Sequence, residues 1–215
     1  MKSLNKRIIR ELRSHFGRYL ALLFMIVLGM YLVVSVAGMA ETTIAGTEKY
    51  NERCRLQDGQ FTVFIPLSDG QFNTLSDKYG SIEKIFSVDV SVRSGDNGPE
   101  KTLRIFNVRK EINLINIDEG RLPEKDDEIV IMNLFAERND LKAGDSIRLS
   151  GKDYRICGIG CVPDYNLTVK NFSDMTADPV SFGVAFVSEA AYEEIKKGED
   201  AGVEDYTYAY RLKDS

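Results

Sequence analysis

Histidine is nearly missing from this chain. Its single copy, His15, precedes the one long apolar run, so no Ser/His/Asp or Cys/His pair can be assembled from the residues after that run. No Gly-x-x-x-x-Gly-Lys-Ser/Thr loop is present, which assigns any ATP hydrolysis to another chain. Cysteine is scarce as well, with Cys54, Cys157 and Cys161 an odd count. Three sulfurs without an outer histidine do not make a zinc site. Cys157 and Cys161 stand four apart, roughly 13 Å in an extended strand and beyond disulfide reach unless the chain folds sharply at Gly158 or Gly160. The three either stay free thiols or close one bridge. No calcium loop has the required spacing. The acidic pairs Asp126-Asp127 and Glu193-Glu194 read as solvated surface on turns and helix faces, not as an acid/base couple. No catalytic, cofactor-binding or metal-binding residue is assigned, and the chain does not read as an enzyme.

Charge is missing from the stretch Tyr19 to Met39, with Leu28 and Gly29 at its middle and Ser35 its only strongly polar side chain. A helix of that length spans roughly 30 Å, the hydrocarbon thickness of a bilayer. Its Leu, Ile, Val and Phe residues contribute on the order of −3 to −7 kcal/mol toward insertion. The run is apolar all round, unlike an amphipathic core helix, and reads as a transmembrane helix. No second apolar run of this length follows.

Positive charge is concentrated before that helix. Residues 1–18 carry Lys2, Lys6, Arg7, Arg10, Arg13 and Arg18 against Glu11, a net +5, so a total of −5 leaves −10 for residues 40–215. Basic residues beside a first helix mark its cytoplasmic end, which puts residues after 40 outside the plasma membrane. An acidic exterior argues against nucleic acid as a partner. A cleaved signal peptide is the rival reading, with Gly38-Met39-Ala40 as its site, but the apolar run exceeds the ~7–15 residues of such a segment. Within residues 1–18, Leu4, Ile8, Leu12 and Phe16 recur at spacing four among basic residues. That pattern suits an amphipathic elbow in the headgroup layer, with an unstructured basic tail as the alternative.

The exterior part has the composition of a folded domain, the chain being 43% hydrophobic with eleven Phe and ten Tyr. Glu41 to Arg55 can continue the membrane helix to about residue 56, before Asp58-Gly59. Gln60 to Pro66 reads as a buried strand, and Ser68 as the cap of a helix carrying Phe72, Leu75 and Tyr79 and stopped at Gly80. Phe86, Val88, Val90 and Val92 alternate with polar residues as a half-buried strand. A turn at 94–99 and a strand from Lys101 to Arg109 follow. Over 112–179 the texture changes to short strands at 128–133, 146–150 and 153–159, with a helical turn at 134–139 and turns at Ala143-Gly144-Asp145 and Ser150-Gly151. Residues 180–188 return to a buried strand, 189–198 to a helix and 205–212 to an alternating strand. The fold class is α+β: 57–111 and 180–215 form an α/β part, interrupted by a β-rich subdomain at 112–179. Tyr206, Tyr208 and Tyr210 share one strand face, read as packed under the helix that carries Tyr192, with ligand stacking as the alternative. Asn166-Leu-Thr168 and Asn171-Phe-Ser173 match glycosylation acceptors.

The block RELRSHFGRYLALLFMIVLGM, then GRLPEKDDEIVI, then LKAGDSIRL and YRICGIG, resembles FtsX-like ABC-transporter permeases. The part after the helix resembles their MacB-like extracytoplasmic (periplasmic) core domain. Gly120, Arg121, Pro123, Glu128, Val130, Gly144, Asp145, Ile147, Leu149, Tyr154, Ile156, Gly158 and Ile159 stand at the motif positions. The resemblance implies a porter-like α/β part with a β-rich insertion, structural roles for the motif residues and no cofactor. It also implies an ATP-binding cassette ATPase as partner, together with a second permease copy or half. The family carries further membrane helices after this domain, so the chain is expected to be the N-terminal piece of a longer permease, the alternative being a truncated relative. Relay of ATPase motion through the membrane demands stiffness, which predicts a helix unbroken from Tyr19 to about Cys54. The competing class is a single-pass binding or sensing domain with no ATPase partner.

Overall fold

The computed structural model describes residue 13 and residues 15–93, 100–166, 169–170 and 176–213. The expected elbow at Leu4, Ile8 and Leu12, the turn at 94–99 and most of both glycosylation matches lie outside these residues. Two compact units form, Met1–Lys49 and Tyr50–Ser215.

One α-helix, α1 (Phe16–Arg53), runs without interruption and has no buried residue. Among the described residues it is the one helix long and apolar enough to cross a membrane. Its 38 residues extend roughly 57 Å. Beyond Met39 the sequence turns polar, and the helix persists with Thr42 and Thr47 hydroxyls donating to the Gly38 and Thr43 carbonyls at 2.8 and 2.9 Å. It ends where Arg55 turns left-handed at φ 52°, ahead of the expected stop at Asp58-Gly59.

The second unit holds two sheets. Three strands, β1 (Gly59–Val63), β2 (Gly80–Lys84) and a last strand β10 (Tyr206–Leu212), form one antiparallel sheet in the order β1-β10-β2. Helix α2 (Asp69–Tyr79) covers it, and begins with a full capping box: Ser68 accepts from the Gln71 N–H and Gln71 answers the Ser68 N–H. Gly80 closes α2 at φ 136°, a conformation that Gly alone adopts easily. The stretch 60–66 is not the buried strand expected. As an edge strand, β1 has β10 as its one hydrogen-bonded neighbour strand among the described residues and alternates half-buried with exposed positions, while Phe64 and Ile65 lie in solvent beyond its end.

The larger sheet joins β3 (Ser87–Arg93), β4 (Glu100–Asn107), β5 (Asn116–Gly120), β6 (Glu128–Met132), β7 (Ser146–Leu149), β8 (Lys152–Cys161) and β9 (Phe182–Val187). Its order is β3-β4-β9-β6-β8-β5, with β7 on β8. Pairing is parallel between β4 and β9 and between β6 and β8, and antiparallel elsewhere. The backbone layers therefore cut across the segments read along the chain. Strand β9 bonds to β4 on one side and to β6 on the other, so residues from 112–179 share a sheet with residues on either side of them.

Strands β6 and β9 are buried at every position because both faces of this sheet are covered. Ile129, Ile131, Ala185 and Val187 face a core with Phe135 of α3 (Asn133–Arg138) and with Ala191, Tyr192 and Ile195 of and beside α4 (Glu189–Ile195). Val130, Met132, Val184 and Phe186 face the other, with Phe106 and Val162. At about 1.5–3 kcal/mol for each fully buried large side chain, this two-faced burial is the main cohesive term.

Candidate functional site

Of the residues singled out by the family resemblance, Gly120, Arg121, Glu128, Gly144, Asp145, Ile156 and Gly158 meet around β8 in the larger sheet. Register along β8 shifts between its partners on β6, where Ile129 pairs Ile156 and Val130 pairs Gly158, so Cys157 is the extra residue of a β-bulge. Gly120 pairs with Gly158 across β5 and β8. A Cβ on Gly120 would meet the Cys157 carbonyl at 2.2 Å, and one on Gly158 the Arg121 carbonyl at 2.4 Å. Arg121 leaves this crossing with its N–H on the Cys157 carbonyl at 3.0 Å. Its guanidinium grips Glu128 by two bonds, 2.8 and 2.6 Å. Glu128 also accepts from the Glu124 and Lys125 N–H groups at 2.9 and 3.3 Å, so Pro123 and its neighbours are folded over the carboxylate. The Arg121 bond first, and then the backbone donors, hold the Glu128 carboxyl down to about 2. Gly144, at φ 101°, donates to the Ile156 carbonyl and Asp145 receives the Ile156 N–H on its own carbonyl, both at 2.8 Å. Asp145 also takes the Lys142 N–H at 2.8 Å. Tyr154 is fully buried against the α4 core. The Cys157 thiol faces the Arg121 and Ile129 carbonyls, each at 3.4 Å, and burial above all pushes it up to about 11.

A second constellation lies where α1 ends, within the unit that begins at Tyr50, and no local pattern in the sequence marks it. The Leu114 N–H donates to the Cys54 carbonyl at 2.7 Å and the Asn113 N–H to the Arg55 carbonyl at 3.0 Å. Asn113 and Gln57 exchange two bonds. Arg53 donates to the Asn116 side-chain oxygen. The Tyr50 hydroxyl lies 3.3 Å from the Cys161 sulfur, and the Asn116 amide 3.7 Å from it. Glu83 of β2 takes the Lys110, Glu111 and Ile112 N–H groups at 2.7, 3.0 and 2.6 Å. The loop 108–115 thus bonds the last helical turn and the small sheet at once, and buried Ile112 packs with Ile85 and Ala209.

Deeper in, Arg109 and Asp164 form a buried ion pair at 2.6 Å, with 2% and 6% of their side chains exposed. The guanidinium stacks over Phe106 and Phe186 at 4.9 and 5.3 Å from the ring centres. A cleft of about 380 Å³ opens beside this pair, lined by Gln60, Thr62, Thr207, Arg104 and Tyr165 among others.

Of the tyrosine face, Tyr208 packs under a different helix from the one expected. Tyr208 stacks on Phe61 at 5.3 Å, meets Phe72 of α2 at 6.1 Å and Phe86 edge-on at 5.2 Å, and accepts the Leu67 N–H at 2.9 Å. Tyr192 instead lies in the larger core and bonds Glu204 at 2.9 Å. The difference arises because β10 joins the small sheet while α4 covers the large one. Of the acidic pairs, Glu193 and Glu194 are exposed partners of Lys196 and Lys152, and exposed Asp126 accepts from Ser188. All three cysteines are free thiols.

No protein-family model matches the chain, and no curated protein matches it. Several solved structures resemble its fold, three of them as follows. One is the extracellular domain of the noncanonic ABC-type transporter YknZ from Gram-positive bacteria, 15% identical, with a TM-score of 0.41 over 72% of this chain and 84% of that one. The periplasmic region of MacB from Actinobacillus actinomycetemcomitans is 12% identical, at 0.41 over 74% and 78%. A domain of a protein classed as a permease from Porphyromonas gingivalis is 11% identical, at 0.37 over 66% of each chain.

Proposed function

We propose that this chain is a membrane-anchored part of an FtsX-like ABC-transporter permease, its N-terminus cytoplasmic and residues after 40 outside, whose outer domain relays motion delivered by an ATPase partner. The observation that carries this reading is the unbroken helix from Phe16 to Arg53, whose final turn is bonded into the loop at 113–116. A rod that neither bends nor slips in its socket passes displacement on, whereas a hinged anchor dissipates it. The motif residues around Cys157 serve this purpose as architecture: they keep the sheet beside the socket rigid. The partners are the bilayer, an ATP-binding cassette subunit and a second permease copy or half. The competing reading, a single-pass binding domain, is favoured by the cleft beside Arg104 and Tyr165.

Two measurements decide. Spin labels at Gly38→Cys and Gly46→Cys in a chain freed of its other cysteines report one narrow distance, about 12 Å for eight helical residues. A broad or two-peaked distribution contradicts the relay. Purification of the tagged chain from its native membrane brings down an ATP-binding cassette subunit. Recovery without one favours the binding domain.

A further inference from the structure

Cys54 and Cys161 lie far apart in sequence yet meet the same short stretch, residues 114–116. The Cys54 N–H donates to the Tyr50 carbonyl at 2.9 Å, and the Tyr50 hydroxyl is 3.3 Å from the Cys161 sulfur. Backbone bonds hold this arrangement. The Cys54 carbonyl receives the Leu114 N–H at 2.7 Å, and two residues on, Asn116 pairs with Cys161 across β5 and β8. Asn116 also reaches the Cys161 sulfur with its amide and the Arg53 guanidinium with its oxygen.

We propose that Cys54 and Cys161 close a disulfide in an oxidising medium, a covalent clamp tying the residue after α1 to the end of β8. The inference rests on the exterior placement of residues after 40 proposed above. Cys161 is half-buried and Cys54 buried, which sets the order of events. Cys161 gives up its proton and its thiolate attacks a disulfide-bearing oxidant, such as glutathione disulfide or a thiol oxidoreductase, expelling one thiolate and forming a mixed disulfide. Cys54 then loses its proton and attacks the Cys161 sulfur, expelling the second thiolate. The protein pair surrenders two protons and two electrons, and the oxidant's S–S bond becomes two thiols. Burial raises the Cys54 thiol, which leaves Cys161 as the sulfur that meets the oxidant first. Cys157 takes no part: it lies four residues from Cys161 on β8 and is turned toward the Arg121 and Ile129 carbonyls. The clamp would fix the last helical turn in its socket and stiffen the very joint on which the relay depends.

The full chain in detergent, treated with glutathione disulfide, alkylated and digested for mass spectrometry, tests this directly. The expected product is a Cys54–Cys161 linked peptide with Cys157 alkylated, the free thiols falling from three to one. Cys157→Ser leaves the link unchanged, and Cys54→Ser leaves Cys161 as a glutathione adduct. A wild-type product that stops at the Cys161 adduct with Cys54 alkylated, or that links Cys157, overturns the proposal. In intact cells the link is expected without added oxidant. Reduced cysteines there, together with an exposed Val203→Cys that a membrane-impermeant maleimide fails to label, in a chain that links readily once purified, overturn the exterior placement and leave the sulfur geometry standing.

Discussion

Asn113 and Gln57 face each other like interlocked hands: the Asn113 oxygen takes the Gln57 backbone N–H at 2.9 Å, and its amide donates to the Gln57 side-chain oxygen at 2.8 Å. Asn113 has no exposed surface and sits at φ 52°, a left-handed conformation in which Asn is favoured over most residues. Asn113→Ala strands a partly buried N–H and strains the turn. We expect a loss of about 2 kcal/mol, since an unmet buried donor costs ~1–3 kcal/mol. Urea unfolding of the full chain in detergent, followed by circular dichroism, reads the drop in midpoint. An unchanged midpoint means the pair does not hold the loop.

The Gly120–Gly158 crossing allows no side chain. Gly158→Ala drives a methyl into the Arg121 carbonyl, and Gly120→Ala adds to a similar clash the strain of φ 79°. Strained backbone positions cost on the order of 1–3 kcal/mol, and the contact with main chain leaves little to yield. Both variants should lower the unfolding midpoint and release the amide protons of residues 116–120 to hydrogen exchange ahead of those of β9. Full protection of β5 in either variant refutes the crossing.

Acid should weaken the fold through Glu128. Its carboxyl is held at about 2, below the unfolded value, chiefly by Arg121. The folded state therefore binds this proton less readily than the unfolded chain. The stabilisation is complete above the unfolded pKa of roughly 4.3 and fades as pH falls toward the folded value. Stability measured from pH 5 down to 2 declines more steeply in the natural chain than in Glu128→Gln, which begins lower and is flatter. Parallel curves would show that another carboxylate dominates.

Local properties of the chain were legible before any fold was known. The apolar run beginning at Tyr19 is a matter of composition, and its helix requires no partner beyond its own backbone. Ser68 announces α2 because a cap acts on the first turn beside it, and the structure adds Gln71 as its reciprocal partner. Strands β6 and β9 stand out by continuous β-branched and aromatic content, and the β7–β8 hairpin by its Ser150-Gly151 turn, at φ 46° and 80°. Strands β2 and β5 were not foreseen. Gly80–Lys84 and Asn116–Gly120 are polar, and neither shows an alternating pattern strong enough to stand alone; β10 and β8 make them strands by offering hydrogen-bond partners.

Composition alone determined that a charge-free rod precedes an acidic body without histidine, because hydrophobicity and charge add up along the chain wherever it goes. Tertiary structure decided that β9 joins β4 to β6, that Tyr208 lies under α2, and that Tyr50 touches Cys161. Contacts between residues so distant in sequence leave no periodic trace, and only the competition among all possible strand pairings selects them.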